Sequence, residues 1–109
     1  MEEMKEIKAI IQEFMLPKVV EALRAHPEFP GLTVSRVRGF GRSGTEEDLS
    51  ETPPKCKLEI VVPSTLVDSV VELIRSHAHT GRPGDGKIFV YTVDEVVRIR
   101  TGERDQDAL

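Results

Sequence analysis

The sequence holds one cysteine, one tyrosine and no asparagine among its 109 residues. A single thiol, Cys56, excludes an internal disulfide. It occupies an apolar position of KCKLEIVV and reads as a small buried side chain, because nothing around it marks a depressed pKa. Basic residues do not outnumber acidic ones. The formal net charge is −4, which argues against nucleic acid as the main partner. No apolar run approaches the roughly 20 residues of a membrane span. The opening MEEMKEIKAI lacks the basic start and apolar stretch of a secretion signal, so the expected location is the cytoplasm. No Ser–His–Asp or Cys–His arrangement is suggested. His26 stands beside a proline. His77 and His79, two apart on an expected helix, point to different sides and make a poor metal pair. Neither a catalytic nucleophile nor a metal centre is expected, and the chain reads as a non-enzyme.

What is present has the size and apolar content of one small domain spanning residues 1–109. Residues 5–12, KEIKAIIQ, read as a first strand. Residues 15–25, MLPKVVEALRA, follow a helical period with Leu16, Val19, Val20 and Leu23 on one face, and Pro17 suits the first turn. HPEFPG ends that helix. GLTVSRVRGF, residues 31–40, reads as a second strand. RSGTEEDLSETPP, residues 42–54, is acidic and turn-rich and reads as an exposed loop. KCKLEIVV, residues 55–62, alternates cleanly, with Cys56, Leu58, Ile60 and Val62 facing one way. After Pro63, Ser64 or Thr65 is the expected cap of a helix reaching residue 78, with Leu66, Val67, Val70, Val71 and Ile74 inward. KIFVYTV is a fourth strand, EVVRIR (residues 95–100) a short fifth one, and the tail is polar.

The order is βαββαβ plus a short strand, and the halves repeat. IKAII matches LEIVV in pattern, and Val19-Val20-Glu21 matches Val70-Val71-Glu72 at the same spacing. The expected fold is α+β, ferredoxin-like: a four-stranded antiparallel sheet with both helices on one face. The other face has no cover within the chain and carries Ile10 and Val61, so self-association is expected to hide it.

Two glycine-bearing turns and a basic pair carry the candidate chemistry. In RGFGRSG, Gly39 and Gly41 flank Phe40, and Arg42 follows. This is either a backbone turned toward an anion or a plain loop entry with an exposed arginine. In TGRPGDGK, Gly84 and Gly86 flank Asp85 and Lys87 follows. Its spacing is not that of a Walker motif, yet glycine amides beside a lysine offer similar physics. The alternative is an ordinary tight turn. In VVRIRTG, an extended chain would point Arg98 and Arg100 the same way. Their partner is then a phosphate or, alternatively, acidic tail residues such as Glu103 and Asp105. Together the elements suit a polyphosphate, most simply that of a nucleotide.

GLTVSRVRGFGR, TGRPGDGKIFV and VVRIRTGE, in this order and spacing, resemble the nucleotide-binding segments of the PII signal-transduction proteins, and the likeness runs from Met4 to Leu109. It implies a homotrimer of ferredoxin-like subunits that binds ATP or ADP in clefts between subunits. It also implies control of a target enzyme or membrane transporter through a mobile loop, reporting energy and carbon–nitrogen status. By resemblance, Gly84, Asp85, Gly86 and Lys87 contact phosphates and Arg98 and Arg100 complete the cleft. Thr33, Gly39, Glu59, Val61 and their neighbours meet base and ribose, Gly41 and Phe89 belong to the nucleotide-binding set, and Arg42 stands at the loop's start within reach of the phosphates. The effector loop, residues 43–54, is several residues shorter than the family's and lacks its modifiable tyrosine. Ser43 stands where the family has a glutamine that supports magnesium and 2-oxoglutarate, which counts against both as ligands here. Glu46, Glu47, Asp48 and Glu51 make the loop acidic. A second reading is a divergent PII-like regulator of bicarbonate, carboxysome or cation-transport functions that senses ADP or AMP and a small anion. An acyl-phosphate hydrolase on this fold would need an asparagine to position water, and the chain has none. RNA binding on the open sheet would need aromatic residues on the central strands, and KCKLEIVV has none.

Overall fold

In a computed structural model the chain is described over residues 3–39 and 53–109. Four strands, β1 (Met4–Gln12), β2 (Thr33–Val37), β3 (Lys55–Pro63) and β4 (Gly86–Val93), form one sheet in the order β2-β3-β1-β4. Every neighbouring pair is antiparallel. Two helices, α1 (Leu16–Arg24) and α2 (Val67–Ala78), join β1 to β2 and β3 to β4. This is the ferredoxin-like α+β arrangement expected from the repeated half.

Alternation decides which face the helices cover. Ile7, Ala9 and Ile11 of β1 and Cys56, Leu58, Ile60 and Val62 of β3 are buried. Val19 and Leu23 of α1 and Val70, Ile74 and Ala78 of α2 are buried over them. Leu16, Val20, Leu66, Val67 and Val71, expected to face inward, are half-buried, and all but Val20 are packed against that core. Burying each large aliphatic side chain contributes about 1.5–3 kcal/mol before entropy is counted, so this single layer carries the domain. Cys56 belongs to it, as its position suggested. Burial first, and the nearby Glu13 carboxylate second, push its thiol pKa up.

The helix starts differ from expectation. Each is preceded by a 3-10 turn, Glu13–Met15 before α1 and Ser64–Leu66 before α2. The N-cap residue of α2 is Leu66, not Ser64 or Thr65. The Ser64 N–H instead donates to the Glu3 carbonyl at 2.8 Å, which fixes the exit from β3 against the start of β1. The second strand is also shorter than residues 31–40, ending at Val37.

The larger correction concerns residues 95–100, which are not a strand. Val97 forms one isolated antiparallel bridge with Arg104. The Arg98 N–H donates to Glu103 O at 2.8 Å and the Gly102 N–H to Arg98 O at 2.7 Å. Gly102, with φ of +74°, supplies the left-handed residue that lets the chain turn back. Residues 98–103 are therefore a tight hairpin, and Arg98 and Arg100 do not alternate along an extended chain.

Candidate functional site

The glycine turn between α2 and β4 is built from both ends. Gly81, Gly84 and Gly86 all have positive φ. Gly86 is the most constrained, because a Cβ there would overlap the Ile10 carbonyl oxygen of the paired strand. Only glycine allows β4 to begin so close to β1. At the other end, the Asp85 carboxylate accepts from the Thr80 N–H at 2.8 Å, the Gly81 N–H at 3.0 Å and the Thr80 hydroxyl. The Thr80 hydroxyl bond, and after it the amide bond, hold the Asp85 carboxyl below the usual carboxylate range. Its side chain is engaged inside the turn, so its backbone is the part that faces outward contacts.

A residue that sequence reading missed completes this corner. The Lys55 ammonium donates to the Gly84 carbonyl at 2.5 Å. Lys55 is the first residue of β3 and pairs in register with Gln12 of β1. The Gln12 amide lies beside Gly84, and its Oε1 is buried with no hydrogen-bond partner among the described residues. The Glu13 N–H donates to Pro54 O at 3.2 Å. The stem of the 43–54 segment is thereby fastened to the end of β1 and to the glycine turn.

The other expected contacts lie on the uncovered sheet face. Thr33 pairs with Glu59, Glu59 with Lys8 and Lys8 with Phe89, so one cross-strand row holds three of them. The next row toward the turn runs Ser35, Lys57, Ile10 and Lys87. Val61 is in the row of Glu6 and Tyr91. Phe89 and Tyr91 stack with centroids 6.5 Å apart, and the Lys8 ammonium lies 5.0 Å from the Tyr91 ring centre. Gly39 lies just past β2. Gly41, Arg42, Ser43, Glu46, Glu47, Asp48 and Glu51 fall outside the described residues.

In chain order Arg98 and Arg100 are separated from the turn by all of β4. They follow β4, whereas Gly84–Lys87 open it. Seven residue steps at about 3.3 Å each put roughly 23 Å between the two ends of that strand. One Arg98 nitrogen donates to Leu109 O at 2.7 Å, while its Nε is buried without a partner among the described residues. Arg100 is exposed at the hairpin tip. The acidic residues considered as their partners are occupied: Glu103 accepts from the Thr101 hydroxyl at 2.7 Å, and Asp105 accepts from the Val96 N–H at 3.3 Å. Among the described residues no group of three or more His, Cys, Asp or Glu side chains could hold a metal ion, and no helix is long and apolar enough to cross a membrane.

Comparison with known proteins bears on this geometry. The family model described as "Nitrogen regulatory protein P-II" matches residues 4–103. A nitrogen regulatory protein P-II of Rhizobium etli is 52% identical over 114 aligned residues, covering 97% of this chain and 100% of the relative. Nitrogen regulatory protein P-II 1 of Escherichia coli K12 is 48% identical over 113 residues, with the same coverage. Among solved structures, Arabidopsis thaliana PII bound to citrate superposes with a TM-score of 0.84 at 40% identity, over 99% of this chain and 94% of that one. With sheet order, helix placement and both basic segments in their expected order, the chain is a member of the nitrogen regulatory P-II family.

Proposed function

We propose that this P-II protein acts as a homotrimer that binds ATP or ADP in clefts between its subunits and controls a target protein through its 43–54 loop. The observation that carries this reading is the separation of the two basic halves. The glycine turn with Lys87 opens β4 and the hairpin with Arg98 and Arg100 follows it, and the two ends of that strand are roughly 23 Å apart by strand rise. A nucleotide's phosphate chain does not span that distance. A site using both halves takes the turn from one copy and the arginines from the next. Such a head-to-tail interface joins two different surfaces, and a rotation of one third of a turn closes it into a three-membered ring. The uncovered sheet face, where Phe89, Tyr91, Ile10 and Val61 stand among Lys8, Lys57 and Glu59, is the surface available to line that ring. The Arg98 Nε, without a partner among the described residues, then has an acceptor to gain.

Full-length likeness to relatives named for nitrogen regulation favours that process over the divergent bicarbonate or cation-transport reading. The chemistry offered is recognition, not turnover: glycine amides, one ammonium and two guanidiniums bind charge and supply no nucleophile. Titration of ATP, ADP and AMP by calorimetry tests the reading. Adenine nucleotide binding is expected, and Lys87→Ala or Arg100→Ala should each weaken it by about 1.5–3 kcal/mol, the worth of a charge-assisted hydrogen bond. No binding of any of these nucleotides would sink it.

A further inference from the structure

Asp85 poses an electrostatic problem. A carboxylate inside a polyphosphate cradle repels the ligand, so its presence between Gly84 and Gly86 needs a reason. The geometry supplies one. Oδ2 accepts from the Thr80 and Gly81 N–H groups at 2.8 and 3.0 Å, and Oδ1 from the Thr80 hydroxyl. That hydroxyl accepts in turn from the Arg82 N–H at 3.2 Å. His79 Nδ1 lies 3.7 Å from Oδ2 on the same side. Every one of these partners belongs to the start of the turn, and Asp85 to its end. The carboxylate therefore closes residues 80–85 into a ring with its charge directed inward.

We propose that Asp85 is the positioning residue of the glycine turn, with the Thr80 hydroxyl as its relay, and that its carboxylate fixes the turn in the anion-accepting shape without touching the ligand. This rests on the polyphosphate reading above. Three left-handed glycines leave the segment with many accessible backbone states. Fixing one residue in a single backbone well costs about 1–2 kcal/mol. A turn already closed by charge-assisted hydrogen bonds does not meet that cost when the ligand arrives.

The two possible roles differ in sign. If the Asp85 charge acted on the ligand directly, removing it would tighten ATP binding; if Asp85 positions the turn, removing it weakens binding. The test uses Asp85→Ala, Thr80→Val and Thr80→Ser, with ATP titrated by calorimetry and amide hydrogen exchange followed in the nucleotide-free protein. Asp85→Ala is expected to weaken ATP binding at least tenfold and to speed exchange at Thr80 and Gly81, leaving the Ile7 and Ala9 amides of β1 protected. Thr80→Val should weaken binding, and Thr80→Ser, which keeps the hydroxyl, should restore it. Binding by Asp85→Ala as tight as wild type or tighter overturns the proposal, as does equal weakening by Thr80→Val and Thr80→Ser. Failure of the wild type to bind any adenine nucleotide instead removes the underlying reading, and the proposal with it.

Discussion

Asp85 and Lys55 show what single residues do here that their sequence neighbourhood does not announce. The Asp85 carboxyl is held low by its bonds from Thr80, so the sign of its pH dependence is fixed. A group whose folded pKa is depressed stabilises the fold above its unfolded value, about 3.9 for aspartate. That contribution is lost as pH falls through the lower folded value. Protection of the Thr80 and Gly81 amides should therefore hold steady from neutral pH to about pH 5 and be lost only below about pH 4. Hydrogen exchange across that range checks this, and in Asp85→Ala the acid-dependent step should be missing. The glycines and lysine of this turn were legible because their residue types are chemically specific. Lys55 was not, because its meaning depends on Gly84, 29 residues away. Only the β1–β3 register, which sets Lys55 beside Gln12, brings it to the turn.

Periodicity made the helices and long strands readable, since a covered face forces every second or every third to fourth residue to be apolar. Leu58 and Ile74, both fully buried, are the clearest products of that rule. Leu58→Ala should cost about 2–5 kcal/mol in denaturant unfolding, because it leaves a cavity between sheet and helices. Tyr91→Asp is the contrasting case. Tyr91 lies on the uncovered face and is 46% exposed in the single chain. The substitution should leave helix and sheet signals in circular dichroism intact while sedimentation velocity reports smaller species. Unchanged sedimentation would remove this face from the assembly. The same alternation misled at residues 95–100. EVVRIR has the pattern of a strand, but a strand also needs a partner, and the chain turns back at Gly102 instead. Pattern records which side chains seek cover and is silent on whether a neighbouring edge exists.

At the scale of the whole molecule, the proposed head-to-tail clefts of a trimer make a prediction that no single-subunit site shares. Subunits carrying Lys87→Ala have a defective turn but sound arginines, and subunits carrying Arg100→Ala the reverse. Refolded together, every mixed trimer contains one cleft with both halves intact. Mixing two weak binders should therefore restore a minority of wild-type-affinity sites, measurable by calorimetry on the mixture. A simple average of the parents' behaviour would contradict clefts shared between copies.

The span of β4 then acquires the character of a ruler. Removing one residue would turn its side chains over to the opposite face. Removing two would spare the pleat yet shift one half of each proposed cleft by about 6.6 Å, in all copies simultaneously. Insertions and deletions within this strand are therefore expected to cost more than those outside it.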